Sequence, residues 1–181
     1  MNFAQILRRV AVVVAMLTVP IAVPAPAASA DTAEALGRCR NDQWFENSMS
    51  FELQGTNPNW FPAEISTMRP GNVVRIVATG SVHYGGFLGS AGEWGPDGNG
   101  HLVDPGDTAW NYPGASQYSV AAWWNPTATL VRHNTCFVIP NGGAGPRMFL
   151  VGINDIWDAF GDNRGAYRVG VRVYCANTGC A

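Results

Sequence analysis

The sequence predicts an all-β sandwich. Short runs rich in β-branched and aromatic residues recur along the chain, and no stretch after residue 46 has the spacing of an amphipathic helix. Turn-forming residues separate these runs, most clearly at Pro70-Gly71, Pro105-Gly106, Pro113-Gly114 and 141–143. The pattern predicts strands at 49–53, 72–79, 118–124, 127–131, 136–139, 147–153 and 166–174.

The run at 72–79 predicts a strand in the middle of a sheet. Its apolar residues occupy both faces, since Val73 and Val77 fall on one side and Ile76 on the other. A strand with this pattern is buried on both sides.

The first 30 residues predict a secretory signal peptide. Arg8 and Arg9 precede a short apolar core at 10–19, and Ala28-Ser29-Ala30 is a cleavage signal. Because the apolar core is short for a membrane span and no second apolar run follows, we expect a secreted protein without membrane insertion. A retained membrane anchor is the alternative. The predicted organisation is a removed segment 1–30, an N-terminal segment 31–47 tethered by a disulfide, and a sandwich domain 48–181.

The charge balance argues against polyanionic partners. Without the two signal-peptide arginines, nine basic residues face 13 acidic ones, and the chain contains no lysine. Nucleic acids and anionic membrane surfaces require concentrated positive charge, so neither is expected as a partner.

All four cysteines follow the predicted signal peptide: Cys39, Cys136, Cys175 and Cys180. An even number in a secreted chain predicts two disulfides, and three pairings are possible. We favour a bond between the segment around Cys39 and the C-terminal tail. A zinc site is the alternative, although the sequence has no C-x-x-C pair and no nearby histidine.

An acidic segment between the last two predicted strands is the strongest functional signal. Residues 155–165 contain three carboxylates, one asparagine and two glycines. Ca²⁺ prefers six to eight such oxygen ligands. Gly161 and Gly165 permit the turns that would bring Asp155, Asp162 and Asn163 together. The spacing is not that of an EF-hand, and an ordinary acidic hairpin loop is the alternative.

A second irregular segment, 80–114, is long and rich in Gly and Asp, and such a loop is usually functional. We expect it to lie at the same end of the sandwich as 154–165 and to share one site with it. Trp157 lies inside the acidic segment, where its ring is able to cover the apolar face of a sugar. For Trp94 we expect packing instead, and at least one of Trp123 and Trp124 is expected in the core.

The sequence gives little support for catalysis. It contains neither the G-x-S-x-G pattern of a serine hydrolase nor the H-E-x-x-H pattern of a zinc protease. We therefore expect a protein that is not an enzyme. A glycan hydrolase that pairs Asp155 with Glu93 or Asp97 remains open.

Two ordered sets of residues resemble the bacterial galactophilic lectin family called PA-IL. The first set is the run 70–80, His83-Tyr84-Gly85 and the run 94–98. The second set is Asn154-Asp155, the run 160–163 and the run 165–169. The resemblance covers about residues 48 to 174.

This resemblance implies a jelly-roll sandwich of the galactose-binding-like type. It implies one bound Ca²⁺ whose coordination is completed by vicinal hydroxyls of a galactose-like sugar. The implied metal ligands are the carbonyls of Tyr84 and Ala159 and the side chains of Asp155, Asp162 and Asn163. The expected sugar contacts are Tyr84, His101, Asp155, Ile156, Trp157 and Asp162.

The chain departs from the family at two of these positions. Asp162 stands where the family usually has Asn, and His101 is one position away from the family's sugar-binding histidine. We therefore expect a secreted, calcium-dependent carbohydrate-binding protein in which calcium is better supported than galactose. A calcium-stabilised sandwich that acts through protein–protein contact is the alternative, and oligomerisation is possible.

Overall fold

The computed structural model describes residues 30–85, 92–141 and 147–176. Apart from Ala30, the predicted signal peptide lies outside the described residues. One helix, α1 (Ala30–Arg40), precedes the strands. The strands are β1 (Asn47–Gln54), β2 (Phe61–Ala63), β3 (Val73–Tyr84), β4 (Gly92–Trp94), β5 (Val120–Trp124), β6 (Thr129–Arg132), β7 (Cys136–Val138), β8 (Phe149–Ile153) and β9 (Arg164–Tyr174).

The strands form two antiparallel sheets. The first has the order β1-β9-β3-β4, with β7 also paired to β3, and the second has the order β2-β8-β5-β6. The predicted all-β sandwich is therefore confirmed, and each of the seven predicted strands is present. The additional strands β2 and β4 have only three residues each, which is too short for a periodic signal.

The core lies between the two sheets because each strand turns its apolar residues inward. Along β9, Tyr167, Val169 and Val171 are buried while Arg168 between them is exposed. Along β8, Phe149 and Val151 are fully buried and meet this face. The period-2 alternation thus sets which side of each strand faces the core.

The prediction of a central strand at 72–79 is confirmed. Strand β3 pairs with β9 along eleven positions, from Val73 opposite Tyr174 to His83 opposite Arg164. On its other side it pairs with β7 and then with β4. Its last residue is Tyr84, so residues 80–84 of the segment expected to be irregular belong to β3, and residues 92–94 of that segment form β4.

A disulfide ties the N-terminal helix to the sandwich. Cys39 in α1 is bonded to Cys136 in β7, with 6.1 Å between the Cα atoms. The expected bond from Cys39 to the C-terminal tail is therefore wrong, although the helix does reach the tail through Arg38, whose guanidinium donates to the Cys175 carbonyl at 2.6 Å. Cys175 is also disulfide-bonded, and its partner lies outside the described residues. These three thiols are consequently not zinc ligands.

Two arginines on the outer face of the first sheet also hold the N-terminal helix to the sandwich. Arg75 and Arg172 are opposite each other in the register of β3 and β9, and both contact the carboxylate of Asp42, which follows α1. Over the described ranges, the structure has no helix long and apolar enough to cross a membrane.

Removal of the helix tether is expected to destabilise the fold. The Cys39–Cys136 bond closes a loop with a sequence separation of 97 residues. Replacement of both cysteines by serine should lower the free energy of unfolding by about 2–5 kcal/mol, because the unfolded chain gains conformational freedom. Urea denaturation of the oxidised wild-type protein and the double variant measures this difference. Equal midpoints in the two curves would contradict the prediction.

Candidate functional site

The acidic loop joins β8 to β9 at one end of the sandwich. Its backbone is bonded to the segment at 109–119, since the Asn111 amide donates to the Asp155 carbonyl at 3.1 Å and the Trp157 amide donates to the Ala109 carbonyl at 3.2 Å. Trp110 and Ile156 form an isolated β-bridge. The two irregular segments therefore meet at this end, as the sequence analysis expects.

Asn154 makes most of this connection. Its side chain is fully buried, accepts a hydrogen bond from the Tyr112 amide at 2.9 Å and donates to the carbonyls of Ala115 and Ser116. Its own backbone amide and carbonyl pair with Ser119 and Tyr118. A short polar side chain at the end of β8 thus fixes the start of the acidic loop against another part of the chain.

Asp155 places a carboxylate in an almost buried position. Its side chain is 3% exposed, and it accepts hydrogen bonds from the Ile156 amide at 2.7 Å and from the Asn163 side-chain amide at 2.8 Å. Burial raises the pKa of this carboxyl because desolvation penalises its charge, and the nearby Asp162 acts in the same direction. None of the groups that shift this pKa is a cation.

Asn163 contributes a buried oxygen that has no partner. Its amide nitrogen donates to the Gly55 carbonyl at 3.0 Å and to the Asp155 carboxylate. Because both neighbours are acceptors, the nitrogen must face them, and the oxygen must point the other way. That oxygen is buried and makes no hydrogen bond. An unsatisfied buried acceptor costs about 1–3 kcal/mol, and a cation or a hydrogen-bond donor beside this oxygen would remove that cost.

Asp162 meets the end of β3. A Cβ atom added to Gly85 would lie 2.4–2.5 Å from atoms of the Asp162 side chain, so only glycine leaves space for this contact. Tyr84, the residue before, turns its ring into the core, where its hydroxyl donates to the Tyr118 carbonyl at 3.1 Å. Among the polar groups of Tyr84, the backbone carbonyl is thus the one suited to a ligand role, and direct sugar contact by its side chain is excluded.

The remaining expected ligand, Ala159, lies at the start of a one-turn 3-10 helix (Phe160–Asp162). Its side chain is half-buried, and its amide donates to the Ile156 carbonyl at 2.9 Å. The described part of the chain contains no group of three or more His, Cys, Asp and Glu side chains placed to hold a metal. The polar side chains that the structure brings together here are instead two carboxylates, Asp155 and Asp162, and the Asn163 amide. Such a donor set fits a hard cation and does not fit zinc.

Apolar side chains border this cluster. Ile156 and Trp157 are 40% and 44% exposed, and the Trp157 ring meets the edge of Trp60 with 5.4 Å between centroids. On the outer side of the loop, a depression of about 550 Å³ is lined by Ile156, Asp158, Ala159, Gly161 and Asp162. An exposed ring and an open depression thus lie directly beside the oxygen cluster.

His101 is exposed and belongs to a different pairing. Its amide donates to the Asn99 side chain at 2.9 Å, and its carbonyl accepts from the Gln117 amide at 2.8 Å. These bonds join the loop at 97–107 to the segment at 114–120 and do not reach the acidic loop. Both bonds involve the backbone of His101, and sugar contact by its exposed side chain stays a prediction.

The carboxylates of the hydrolase alternative are engaged elsewhere. Asp97 contacts the His133 ring at 2.8 Å, and Glu93 accepts from the Ser81 hydroxyl. Trp94 packs against the core as expected, and the carbonyl of this residue accepts from the Tyr167 hydroxyl at 2.8 Å. Trp124 is in the core, whereas Trp123 lies on the outer face of the second sheet.

Sequence analysis missed three contributors to the site. Gly55 supplies a carbonyl to Asn163, Gly85 admits Asp162, and Trp60 packs against Trp157. Gly55 and Trp60 lie about 100 residues before their partners, and no local pattern marks such a pair. For Gly85, the only available signal was its place in the motif that resembles the lectin family.

Comparison with known proteins gives similarities among solved structures but no match to a protein family. No protein-family model and no curated protein sequence matches the chain. Among solved structures, the chain is similar to the EclA N-terminal domain, described as a PllA-like lectin. The TM-score is 0.44 at 16% identity, over 70% of this chain and 98% of that chain. A similarity at this level does not identify a ligand or a metal.

Loss of the Asn154 side chain is expected to release the acidic loop. Asn154→Ala removes three buried hydrogen bonds and leaves their backbone partners unsatisfied, so the free energy of unfolding should fall by about 3 kcal/mol. Asn99→Ala, which removes an asparagine from a more exposed turn, is the matched control and should cost less than about 1 kcal/mol. Urea denaturation gives both values. A similar loss in the two variants would show that Asn154 has no special role.

Proposed function

We propose that the protein is a secreted, calcium-dependent carbohydrate-binding protein. The observation that carries the proposal is the unpartnered, buried Asn163 oxygen beside the buried Asp155 carboxylate. Either Asn163 or Asp155 taken alone could be explained by the hydrogen bonds that shape the loop. Together they place a buried negative charge and an unpaired acceptor in one loop. A bound Ca²⁺ would neutralise the charge, and it would also satisfy the acceptor once the Asn163 amide turned its oxygen, now directed away from Asp155, toward the ion.

The proposed ligands are the side chains of Asp155, Asp162 and Asn163 and the carbonyls of Tyr84 and Ala159. Asp155 and Asp162 repel each other in the absence of a cation, which adds to the unfavourable ionisation of Asp155. Five protein oxygens fall short of the six to eight that calcium takes. The positions left over are available to water or to ligand hydroxyls, because Asp162 is exposed on the outer side of the loop.

The surroundings favour a sugar as that ligand. Sugar rings carry hydroxyls on their edges and apolar C–H groups on their faces. Hydroxyls on adjacent carbons would complete the calcium coordination, while Ile156 and Trp157 present exposed apolar surface for the face of the ring. The motifs that resemble the PA-IL family support a galactose-like sugar. The disulfide between Cys39 and Cys136 is in keeping with an extracytoplasmic location.

Calcium is expected to raise the thermal stability. A ligand bound only by the folded state adds about 2.7 kcal/mol at a concentration 100 times its Kd, equivalent to roughly 5–10 °C in Tm for a domain of this size. Calorimetry in chelator and in millimolar calcium measures the shift. Asp155→Ala should abolish it. Asp158→Ala removes an exposed carboxylate of the same loop and should keep it. An unchanged wild-type Tm would exclude the metal site.

A second variant tests the contact between the two segments. Gly85→Ala places a methyl group 2.5 Å from the Asp162 Cβ, so the one-turn helix that carries Asp162 has to shift, a change confined to the surface loop. The fold should therefore survive, whereas calcium affinity should fall by about tenfold, or ~1.4 kcal/mol. Titration calorimetry with calcium gives the affinity. Unchanged affinity would show that Asp162 is not a ligand.

Sugar binding should depend on the metal. Galactose is expected to give a binding heat in calcium and none in chelator, and His101→Ala should leave the calcium affinity intact. Calcium binding without heat from any monosaccharide of a panel would favour the alternative function, a calcium-stabilised sandwich that acts through protein–protein contact.

A further inference from the structure

The outer face of the second sheet is apolar, whereas the outer face of β1 in the first sheet is polar. On β8 and β5, Leu150 and Trp123 are directly opposite each other and point away from the core. On the first sheet, the corresponding outward positions include Ser50, Glu52 and Arg168. A sandwich needs only its inner faces to be apolar, so the outer face of the second sheet requires a separate explanation.

Part of this face is covered by the chain itself. Tyr112 stacks on Trp123 with 5.8 Å between centroids and, together with Ala115, packs over Ala121. The part left open is a recess of about 340 Å³ lined by Trp60, Trp123, Asn125, Ala128 and Leu150. This volume is within the range of small-ligand pockets.

Both tryptophan walls of the recess are held in place. The indole nitrogen of Trp123 donates to the Asn111 carbonyl at 3.1 Å. Trp60 packs over Gly152, where an added Cβ would lie only 3.1 Å from its ring. Rings that are already fixed lose little conformational freedom when a ligand binds, so flat apolar walls of this kind favour binding.

The recess is continuous with the proposed calcium site. Trp60 is 36% exposed and meets the edge of Trp157, which is two residues after Asp155. Exposed aromatic surface thus runs from the acidic loop through Trp157 and Trp60 to the recess. None of the described lining residues is charged, and Asn125 supplies a side-chain amide. This combination of flat apolar walls and a neutral polar group suits an uncharged sugar ring better than an ionic ligand.

We propose that this surface, formed by Trp157, Trp60, Trp123, Asn125 and Leu150, binds the inner sugar residues of an oligosaccharide whose terminal residue coordinates calcium. The proposal rests on the proposed function, since the calcium site holds the first residue. It extends the proposed function from a single sugar to a class of ligand, an extended and uncharged oligosaccharide. The five described residues that line the recess are few beside the roughly 20–30 residues that each partner contributes to a stable protein interface.

The test compares ligands of increasing length. The probes are galactose and its linear oligomers of two to four residues, titrated in calcium into the mature protein. We expect affinity to rise about tenfold from one residue to three, as two further rings contact the tryptophans. Trp60→Ala should remove this gain, while Trp60→Phe, which keeps an aromatic ring beside Trp157, should keep most of the gain. Trp44→Ala, which removes an exposed tryptophan next to α1, is the matched control and should behave as wild type.

The outcomes separate the two proposals. Galactose binding with no gain for longer oligomers would overturn the extended site and leave the proposed function standing. No binding of galactose or of any oligomer would overturn both. A length gain that survives in Trp60→Ala and in Trp123→Ala would place the inner residues elsewhere and overturn the assignment. Light scattering tests whether a second copy of the chain binds this face. A wild-type dimer that becomes monomeric in Trp60→Ala would make the face a self-association surface and overturn the sugar proposal.

Discussion

The buried amide of Asn154 is the contact on which the arrangement of the site depends. It lies at the end of β8 and bonds to the backbone of the segment 112–116, nearly forty residues earlier in the chain. A fully buried amide that lost these bonds would be strongly unfavourable, so the two segments are held at one distance and in one orientation. Asp155 and Trp157 come one and three residues after Asn154, so the same hydrogen bonds fix where they lie.

The electrostatics of the loop oppose its own stability. A nearly buried carboxylate has a second carboxylate close by and no cation among the groups that shift its pKa, while the neighbouring amide turns its oxygen away from every donor. Proteins keep such arrangements where a ligand resolves them, and local departures from good packing are concentrated at functional sites. The hydrogen bond between Asn163 and Asp155 holds the two side chains together.

The first sheet holds the N-terminal helix, and the second sheet carries the acidic loop and the recess. The outer face of the first sheet carries Arg75 and Arg172, which fix the end of α1 through Asp42, and the disulfide fixes the same helix through Cys39. The second sheet supplies β8, from which the acidic loop emerges, and its outer face supplies the tryptophan-lined recess. Attachment of the N-terminal helix therefore takes place away from the surface proposed for ligand binding.

The sequence by itself determined the sandwich, seven of the strands and the acidic loop between β8 and β9. These features are encoded locally, because strand alternation and turn residues act over a few positions. Its family resemblance pointed to the site residues, and the structure brings Asp155, Asp162 and Asn163 into one loop region beside Gly85 while leaving His101 in another pairing. Only the tertiary structure decided the partner of Cys39, the role of Asn154 and the position of Trp60. Each of these depends on a contact between residues about 40 to 100 positions apart, and such a contact is set by how the sheets stack and leaves no periodic trace in the chain.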